Sequence, residues 1–297
     1  RQPLLPAKNS QMGPGIALGD VDGDGREDLY LSSPAGQTGR VFSREADGQD
    51  FIAKTTGDFS VDAGSEDMAP LFFDADGDGD LDLFVVSGGV EGEPGDGVFR
   101  DRLYLNAGNG KFTKAPAGML PDATGSGSVA CAADYDRDGD LDLFVGGRVT
   151  PGFYPESPSS QLLRNEDGKK FVDIAADRFK GLVTSALWTD ANGDGWIDLM
   201  VVHEWGPIRF YQNQEGQLVD QTKEAGLESR TGWWNSITGG DLDGDGDIDY
   251  VVGNTGLNTK YEVPALLYYG DVDGTGKKRI LEAEFEDGKC YPIRGLS

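Results

Sequence analysis

One nine-residue pattern occurs five times in this chain of 297 residues, with an acidic or amide side chain at positions 1, 3, 5 and 9 and glycine at position 6. At positions 1, 3, 5, 7 and 9 the first copy reads Asp20, Asp22, Asp24, Arg26 and Asp28, and the second Asp74, Asp76, Asp78, Asp80 and Asp82. The third reads Asp134, Asp136, Asp138, Asp140 and Asp142, and the fourth Asp190, Asn192, Asp194, Trp196 and Asp198. The fifth reads Asp241, Asp243, Asp245, Asp247 and Asp249. Oxygen ligands on alternate residues, wrapped around a glycine that permits a sharp turn, suit a hard cation taking roughly six to eight oxygens at about 2.3–2.6 Å. Five copies matching at every ligand position make an acidic surface turn a poor explanation, and the pattern predicts five calcium loops. The ligands are the side chains at positions 1, 3, 5 and 9 and the carbonyl at position 7. The side chain at position 7 varies from Arg26 to Trp196 to Asp247, as expected where only backbone is used.

The copies begin at residues 20, 74, 134, 190 and 241, a period that signals a repeat architecture. They are not EF-hands, which need a bidentate Glu at position 12 and helices on both sides. Position 12 is Leu31, Val85, Val145, Val201 and Val252, inside apolar runs, so each loop leads straight into a buried strand. A second pattern follows each strand: RLYLNAGNGKFTK (Arg102 to Lys114), QLLRNEDGKKFVD (Gln161 to Asp173) and IRFYQNQEGQLVD (Ile208 to Asp220). Alternating apolar residues around a turn of Asn, Asp and Gly is a β-hairpin signal. With the strand before each loop, as in SVACAAD, each unit has about four strands, the size of a propeller blade. The expected fold is all-β, one propeller of four-stranded blades over residues 1–297, with repeats near 14–56, 68–115, 128–175, 184–222 and 235–292. At least five blades are expected, and six or seven are compatible with the pattern. Arg1 to Ile16, or the end around Cys290, is expected to help close the ring.

A sixth acidic run begins at Asp271, too soon after Asp241 for another blade, and is expected in the hairpin turn of the fifth repeat. Arg279 stands at its position 9 and Glu282 at position 12. It is either a plain turn or a weaker calcium site built from Asp271, Asp273, Thr275, Lys277 and Glu282.

The DxDxDGxxD runs followed by apolar strands resemble the FG-GAP or VCBS repeats of α-integrin-type propellers. Longer stretches are similar to bacterial proteins of the cartilage-acidic-protein-like (ASPIC/UnbV) group. They include GGRVTPGFYPESPSSQLLRN, ALWTDANGDGWIDLMVVHEW and GWWNSITGGDLDGDGDIDYVVGNTGLNTKY. The resemblance implies an extracytoplasmic propeller whose calcium loops lie early in each blade, and it favours a metal at the Asp271 loop. It supplies no catalytic residues.

The net charge of −26 disfavours nucleic acid and anionic membrane as partners. No run of eighteen or more apolar residues is present, so no helix is expected to insert in a bilayer. No apolar leader follows Arg1, so a secretory signal is expected outside these residues. Loops of this kind fill at the calcium levels found outside cells, which points to a secreted, periplasmic or surface location. Two cysteines, Cys131 and Cys290, make no disulfide scaffold, and both are expected to be free thiols.

Catalysis is hard to assemble. The single histidine, His203, lies within a strand pattern, and the clustered carboxylates are committed to the loops. Trp233 and Trp234 depart from their counterparts in the other repeats and are the first candidates for an exposed ligand site. Tyr154, in a Pro-rich loop, is the second. The expected function is a calcium-stabilised extracellular binding or adhesion module, without catalysis of its own, whose partner is a protein or glycan. The alternatives are a carbohydrate-active enzyme such as a propeller-type polysaccharide lyase, and a structural spacer of a larger surface protein.

Overall fold

Apolar runs such as Leu83 to Val86 carry no polar face, so the strands that hold them must be covered on both sides. The computed structural model meets this demand by stacking small antiparallel sheets face to face. It describes residues 12–45, 50–54, 57, 59–255, 265–271, 274–286 and 288–292.

The first sheet is β1 (Ile16–Gly19), β2 (Asp28–Leu31), β3 (Arg40–Arg44) and β4 (Phe51–Ala53), and the second is β5 (Glu66–Phe73), β6 (Asp82–Gly88), β7 (Arg102–Asn106) and β8 (Phe112–Lys114). The third is β9 (Ser126–Ala133), β10 (Asp142–Val149), β11 (Gln161–Glu166) and β12 (Lys170–Asp173). The fourth is β13 (Leu182–Thr189), β14 (Asp198–Pro207), β15 (Arg209–Gln214) and β16 (Gln217–Asp220). In each, consecutive strands pair as an antiparallel meander. The first strands of successive sheets also pack on one another, β1 on β5, β5 on β9, β9 on β13. These are propeller blades, as the repeat length predicts.

The alternation of each second strand is split between two neighbours. Leu83 and Val85 enter a cluster with Tyr30 and Val41 of the first sheet, whereas Phe84 and Val86 join Leu143 and Val145 of the third. Leu199 and Val201 face the third sheet with Phe144, and Met200 and Val202 face onward with Ile237. Each such side chain contributes roughly 1.5–3 kcal/mol by leaving water. Burial on both faces is therefore what makes the runs continuous.

The unit expected at 235–292 is divided. β17 (Thr231–Gly240) and β18 (Asp249–Asn254) form a hairpin, and β17 also pairs with the end of β14, Glu204 opposite Trp233 and Pro207 opposite Thr231. β19 (Ala265–Gly270), β20 (Arg279–Glu286) and β21 (Lys289–Pro292) make a separate three-stranded sheet. Among the described residues β18 has no third strand of its own. The register corrects the expected place of the Asp271 run. In the five regular copies the residue before position 1 pairs with position 9: Gly19 with Asp28, Phe73 with Asp82, Ala133 with Asp142, Thr189 with Asp198, Gly240 with Asp249. Gly270 pairs with Arg279 in the same way. The run is thus a first-to-second-strand loop of its own sheet and not the outer hairpin turn of the fifth.

The expectation of ring closure from Arg1 falls largely outside the described residues. Ile16 begins β1 and is 60% exposed, while Cys290 is exposed on β21 opposite Phe285. No helix among the described residues is long and apolar enough to cross a membrane.

Candidate functional site

All the acidic loops join a first strand to a second, so in each sheet they occupy the same end. Their backbone is organised around position 1. The Asp20 carboxylate accepts the N–H groups of Gly23, Asp24 and Gly25 at 2.8–3.1 Å. Asp74, Asp190 and Asp241 repeat this with the glycine at position 6 at 2.8–3.1 Å, and Asp134 does so at 3.2 Å. The position-5 carboxylate accepts the N–H of position 7 in all five, at 2.8–3.0 Å. The position-6 glycines adopt φ between 83° and 101°, the left-handed region, so the alternation of ligands can wrap into a loop.

The closing carboxylates Asp28, Asp82, Asp142 and Asp198 are fully buried at the start of their strands. Asp28, Asp82, Asp198 and Asp249 each accept the N–H of position 2 at 2.9–3.2 Å. Burial pushes Asp82 and Asp142 up to about 7, so an ion-free loop holds these carboxylates uncomfortably as anions.

The donor set fits a hard dication. Carboxylate oxygens of Asp20, Asp22 and Asp28 lie within 4.8 Å of one another, as do those of Asp134, Asp136 and Asp142. In the second and fifth loops the converging groups are Asp74, Asp76 and Asp78, and Asp241, Asp243 and Asp245. Buried oxygens of Asp22, Asp134 and Asp136 have no hydrogen-bond donor, the mark of acceptors arranged around something other than protein. In the fourth loop Asn192 offers an amide oxygen in place of the position-3 carboxylate, beside Asp190, Asp194 and Asp198. The first loop differs at position 7, where the Arg26 guanidinium pairs with Asp24 and so competes for the position-5 ligand. The Arg26 side chain thus takes part in the loop, at a position where only backbone was expected to matter.

At the sixth loop Asp271 accepts Thr275 and Gly276 N–H at 2.9 and 2.8 Å, as position 1 does elsewhere. Asp273 lies outside the described residues, and Lys277 is exposed. Closure by Glu282 is contradicted. It sits three residues beyond position 9 in β20, about 10 Å along the strand and on the opposite face, as a period of two requires.

The sequence reading missed one recurring residue. Asn106, Asn165 and Asn213 each donate their backbone N–H to the closing carboxylate of their own sheet, Asp82, Asp142 and Asp198, at 2.7–2.8 Å. Their side-chain amides reach two loops at once. Asn106 Nδ2 bonds Val21 O at 2.7 Å and Leu81 O at 3.1 Å, and Asn165 Nδ2 bonds Ala75 O at 3.0 Å and Leu141 O at 3.3 Å. Asn213 Nδ2 bonds Tyr135 O at 2.7 Å and Ile197 O at 2.9 Å. The signal was the Asn ending RLYLN, QLLRN and IRFYQN, at one position in each hairpin.

The opposite end of the array holds the aromatic candidates. Tyr154 is only 6% exposed and its hydroxyl donates to Glu204 Oε1 at 2.5 Å, which corrects its expected place in an exposed loop. Glu204 is itself buried, pairs with Arg148, and accepts the Trp205 indole N–H at 3.1 Å. Trp205 holds φ at 58°, a strained value for a bulky residue, and its ring lies 5.2 Å from that of Trp233. Trp234 instead packs into the cluster of Met200 and Ile237 and donates to Arg230 O at 3.2 Å. Glu204 and Trp205 line a cavity of about 320 Å³ with His203, Lys180, Arg209 and Tyr269. Burial lowers His203 to about 4, so its ring is neutral, and Nδ1 lies 3.1 Å from Pro207 O. Trp188 stacks on Tyr135 between the third and fourth sheets, 5.7 Å between centroids.

A family profile described as FG-GAP-like repeat matches residues 8–85, 87–145 and 190–252, more than half of the chain. No curated protein matches the sequence. Among solved structures the chain is similar to an Agrocybe aegerita lectin that recognises non-reducing terminal N-acetylglucosamine (18% identity, TM-score 0.43), covering 93% of this chain and 65% of the lectin. It is also similar to the V. cholerae biofilm matrix protein Bap1 (18%, TM-score 0.40), covering 92% of this chain and 37% of Bap1. A third is the Bacillus licheniformis rhamnogalacturonan lyase PL11 (13%, TM-score 0.40), covering 81% of this chain and 55% of the lyase. The chain thus spans less than two thirds of the length of each.

Proposed function

The chain belongs to the FG-GAP-like repeat family, and from that premise we propose that it is a calcium-stabilised, extracytoplasmic binding module without catalysis of its own, directed at a protein or glycan partner. The observation that carries this reading is the repetition of one loop geometry. Position 1 is preorganised by backbone N–H groups in all five loops, carboxylate oxygens converge in the first, second, third and fifth, and the closing carboxylate is buried at the foot of a strand in the first four. A group used in one reaction would stand at one place. A group used to hold a repeat together recurs with it.

When bound, a dication neutralises the converging carboxylates. This chain's residues do the rest: positions 1, 3, 5 and 9 offer side-chain oxygens, and Arg26, Asp80, Asp140, Trp196 and Asp247 offer carbonyls. The partner is taken at the opposite end, at the cavity lined by Trp205, whose ring Trp233 flanks at 5.2 Å. Its volume lies at the lower end of the roughly 300–1,000 Å³ of small-ligand sites, which suits a sugar unit or a peptide side chain. Support for a binding role rather than a reactive one comes from Glu204, whose oxygens are engaged by Arg148, Tyr154 and Trp205.

A glycan and protein array probed with the purified chain, with calcium and with a chelator, tests the reading. Binding that needs calcium and is lost in Trp233→Ala supports it. Turnover of any bound polysaccharide, read as new reducing ends or unsaturated products, would refute the non-catalytic part.

A further inference from the structure

Each of the three asparagines that end a third strand is placed between two metal loops rather than beside one. The carbonyl of position 2 lies between ligand positions 1 and 3 of the preceding loop, and that of position 8 lies between ligand positions 7 and 9 of the asparagine's own loop. One buried amide holds both, and the same residue's backbone N–H holds the closing carboxylate. The arrangement recurs from the first loop to the second, the second to the third, and the third to the fourth. The first sheet is a built-in contrast. With no loop before it in the described array, the equivalent place is held by Arg44, which has no carboxamide and whose backbone N–H donates to Asp28 at 3.3 Å.

We propose that Asn106, Asn165 and Asn213 are positioning residues that couple neighbouring loops, so that a divalent cation bound at one loop raises the affinity of the next. The inference rests on the metal-loop reading and adds a mechanism of cooperative loading to it. In an ion-free loop like-charged carboxylates a few ångströms apart repel, and the loop relaxes by opening. Opening carries the position-2 carbonyl away from the amide. The asparagines are almost wholly buried, so a released N–H finds no water and is costly to leave unpaired. The amide then follows one loop or the other, and the loop it leaves loses a brace next to its ligands. Filling one loop fixes the amide where its neighbour needs it. Such coupling is reciprocal. The outer hairpin reinforces it: Gly110 N–H donates to Val21 O at 2.8 Å, and a side chain at Gly168 would run into the Asp76 backbone.

The third and fourth loops give the test, because Trp196 at position 7 sensitises terbium bound beside it. Arg137 makes a second tie there, its guanidinium 4.0 Å over the Trp196 ring and donating to Gly195 O, so every chain in the test carries Arg137→Ala. The third loop is disabled by Asp134→Ala, and terbium affinity at the fourth loop is read as the tryptophan-excited luminescence that Trp196→Phe abolishes, in chains that also carry Trp188→Phe because Trp188 stacks on Tyr135 of the third loop. With Asn213 in place, Asp134→Ala weakens the fourth loop at least about fivefold, and in Asn213→Ala chains the same change moves it less than about twofold. An affinity that ignores Asp134→Ala while Asn213 is present overturns the coupling and leaves the metal reading intact. No sensitised luminescence in the Arg137→Ala chain overturns the metal reading and the coupling with it. Should Asn213→Ala fail to fold, Asn213→Asp keeps the shape, loses both amide donors and enters the same comparison.

Discussion

Removing the cation is the most informative single perturbation. Carboxylate oxygens within 4.8 Å of one another interact with about 3.5 kcal/mol per pair at an effective dielectric near 20. In the more exposed loops, at water's dielectric, the figure falls to about 1 kcal/mol. A loop of three such groups is therefore strained by several kcal/mol when empty, and a bound ion reverses the sign. At a hundredfold excess over Kd each site stabilises the native state by about 2.7 kcal/mol. Four clusters of the observed geometry supply about 11 kcal/mol, comparable to the roughly 5–15 kcal/mol by which domains are stable at all. For a chain of this size each kcal/mol moves the midpoint by about 2 °C, so chelation lowers the melting temperature by about 20 °C. Differential scanning fluorimetry in millimolar calcium and then in excess EGTA measures this directly. Magnesium rescues poorly, because it demands tighter octahedral geometry than these loops offer. A melting curve unmoved by EGTA refutes the reasoning, and the loops are then acidic turns.

Four further outcomes follow from the same geometry. Asp142→Ala, which removes a buried closing carboxylate, lowers the calcium-loaded melting temperature by about 5 °C, whereas Glu228→Ala on the surface leaves it within about 1 °C. Arg148→Met strands the buried Glu204 carboxylate and costs about 3–5 kcal/mol in urea unfolding, and a loss below about 1 kcal/mol shows that the pair is dispensable. His203 sits at about 4 in the folded state against an ordinary 6.5, so its contribution is complete above pH 6.5 and shrinks as pH falls. In saturating calcium the wild type loses about 2 kcal/mol from this group by pH 5, and His203→Gln, measured across the same range, removes that part of the slope. Trp233→Ala abolishes calcium-dependent ligand binding on the array while shifting the melting temperature by no more than about 3 °C, because Trp234 and not Trp233 packs into the core. Equal binding by wild type and variant removes Trp233 from the site.

What the sequence determined by itself is local. The spacing of Asp20, Asp22, Asp24 and Asp28 around Gly25, and the apolar residues that follow, specify a tight loop of acidic side chains that feeds a strand, since both depend on residues within about a dozen positions. Repetition of that unit then specified the meander sheets. Tertiary structure decided whatever depends on which sheet meets which. Tyr154 reads as an exposed loop aromatic and is buried because Glu204, fifty residues on, takes its hydroxyl. Glu282 reads as a ligand by its spacing and is turned away by the strand it lies in. The Asp271 run reads as a hairpin turn, and only the pairing of Gly270 with Arg279 shows it to be a loop of the regular kind. The asparagine ties span 78 to 90 residues to the preceding loop, and although an Asn recurs at one position of each hairpin, only the stacking of the sheets shows that its amide reaches the neighbouring one. Ligand spacing is a property of one stretch of backbone. The coupling of one loop to the next is a property of packing, and it exists only once the sheets have stacked.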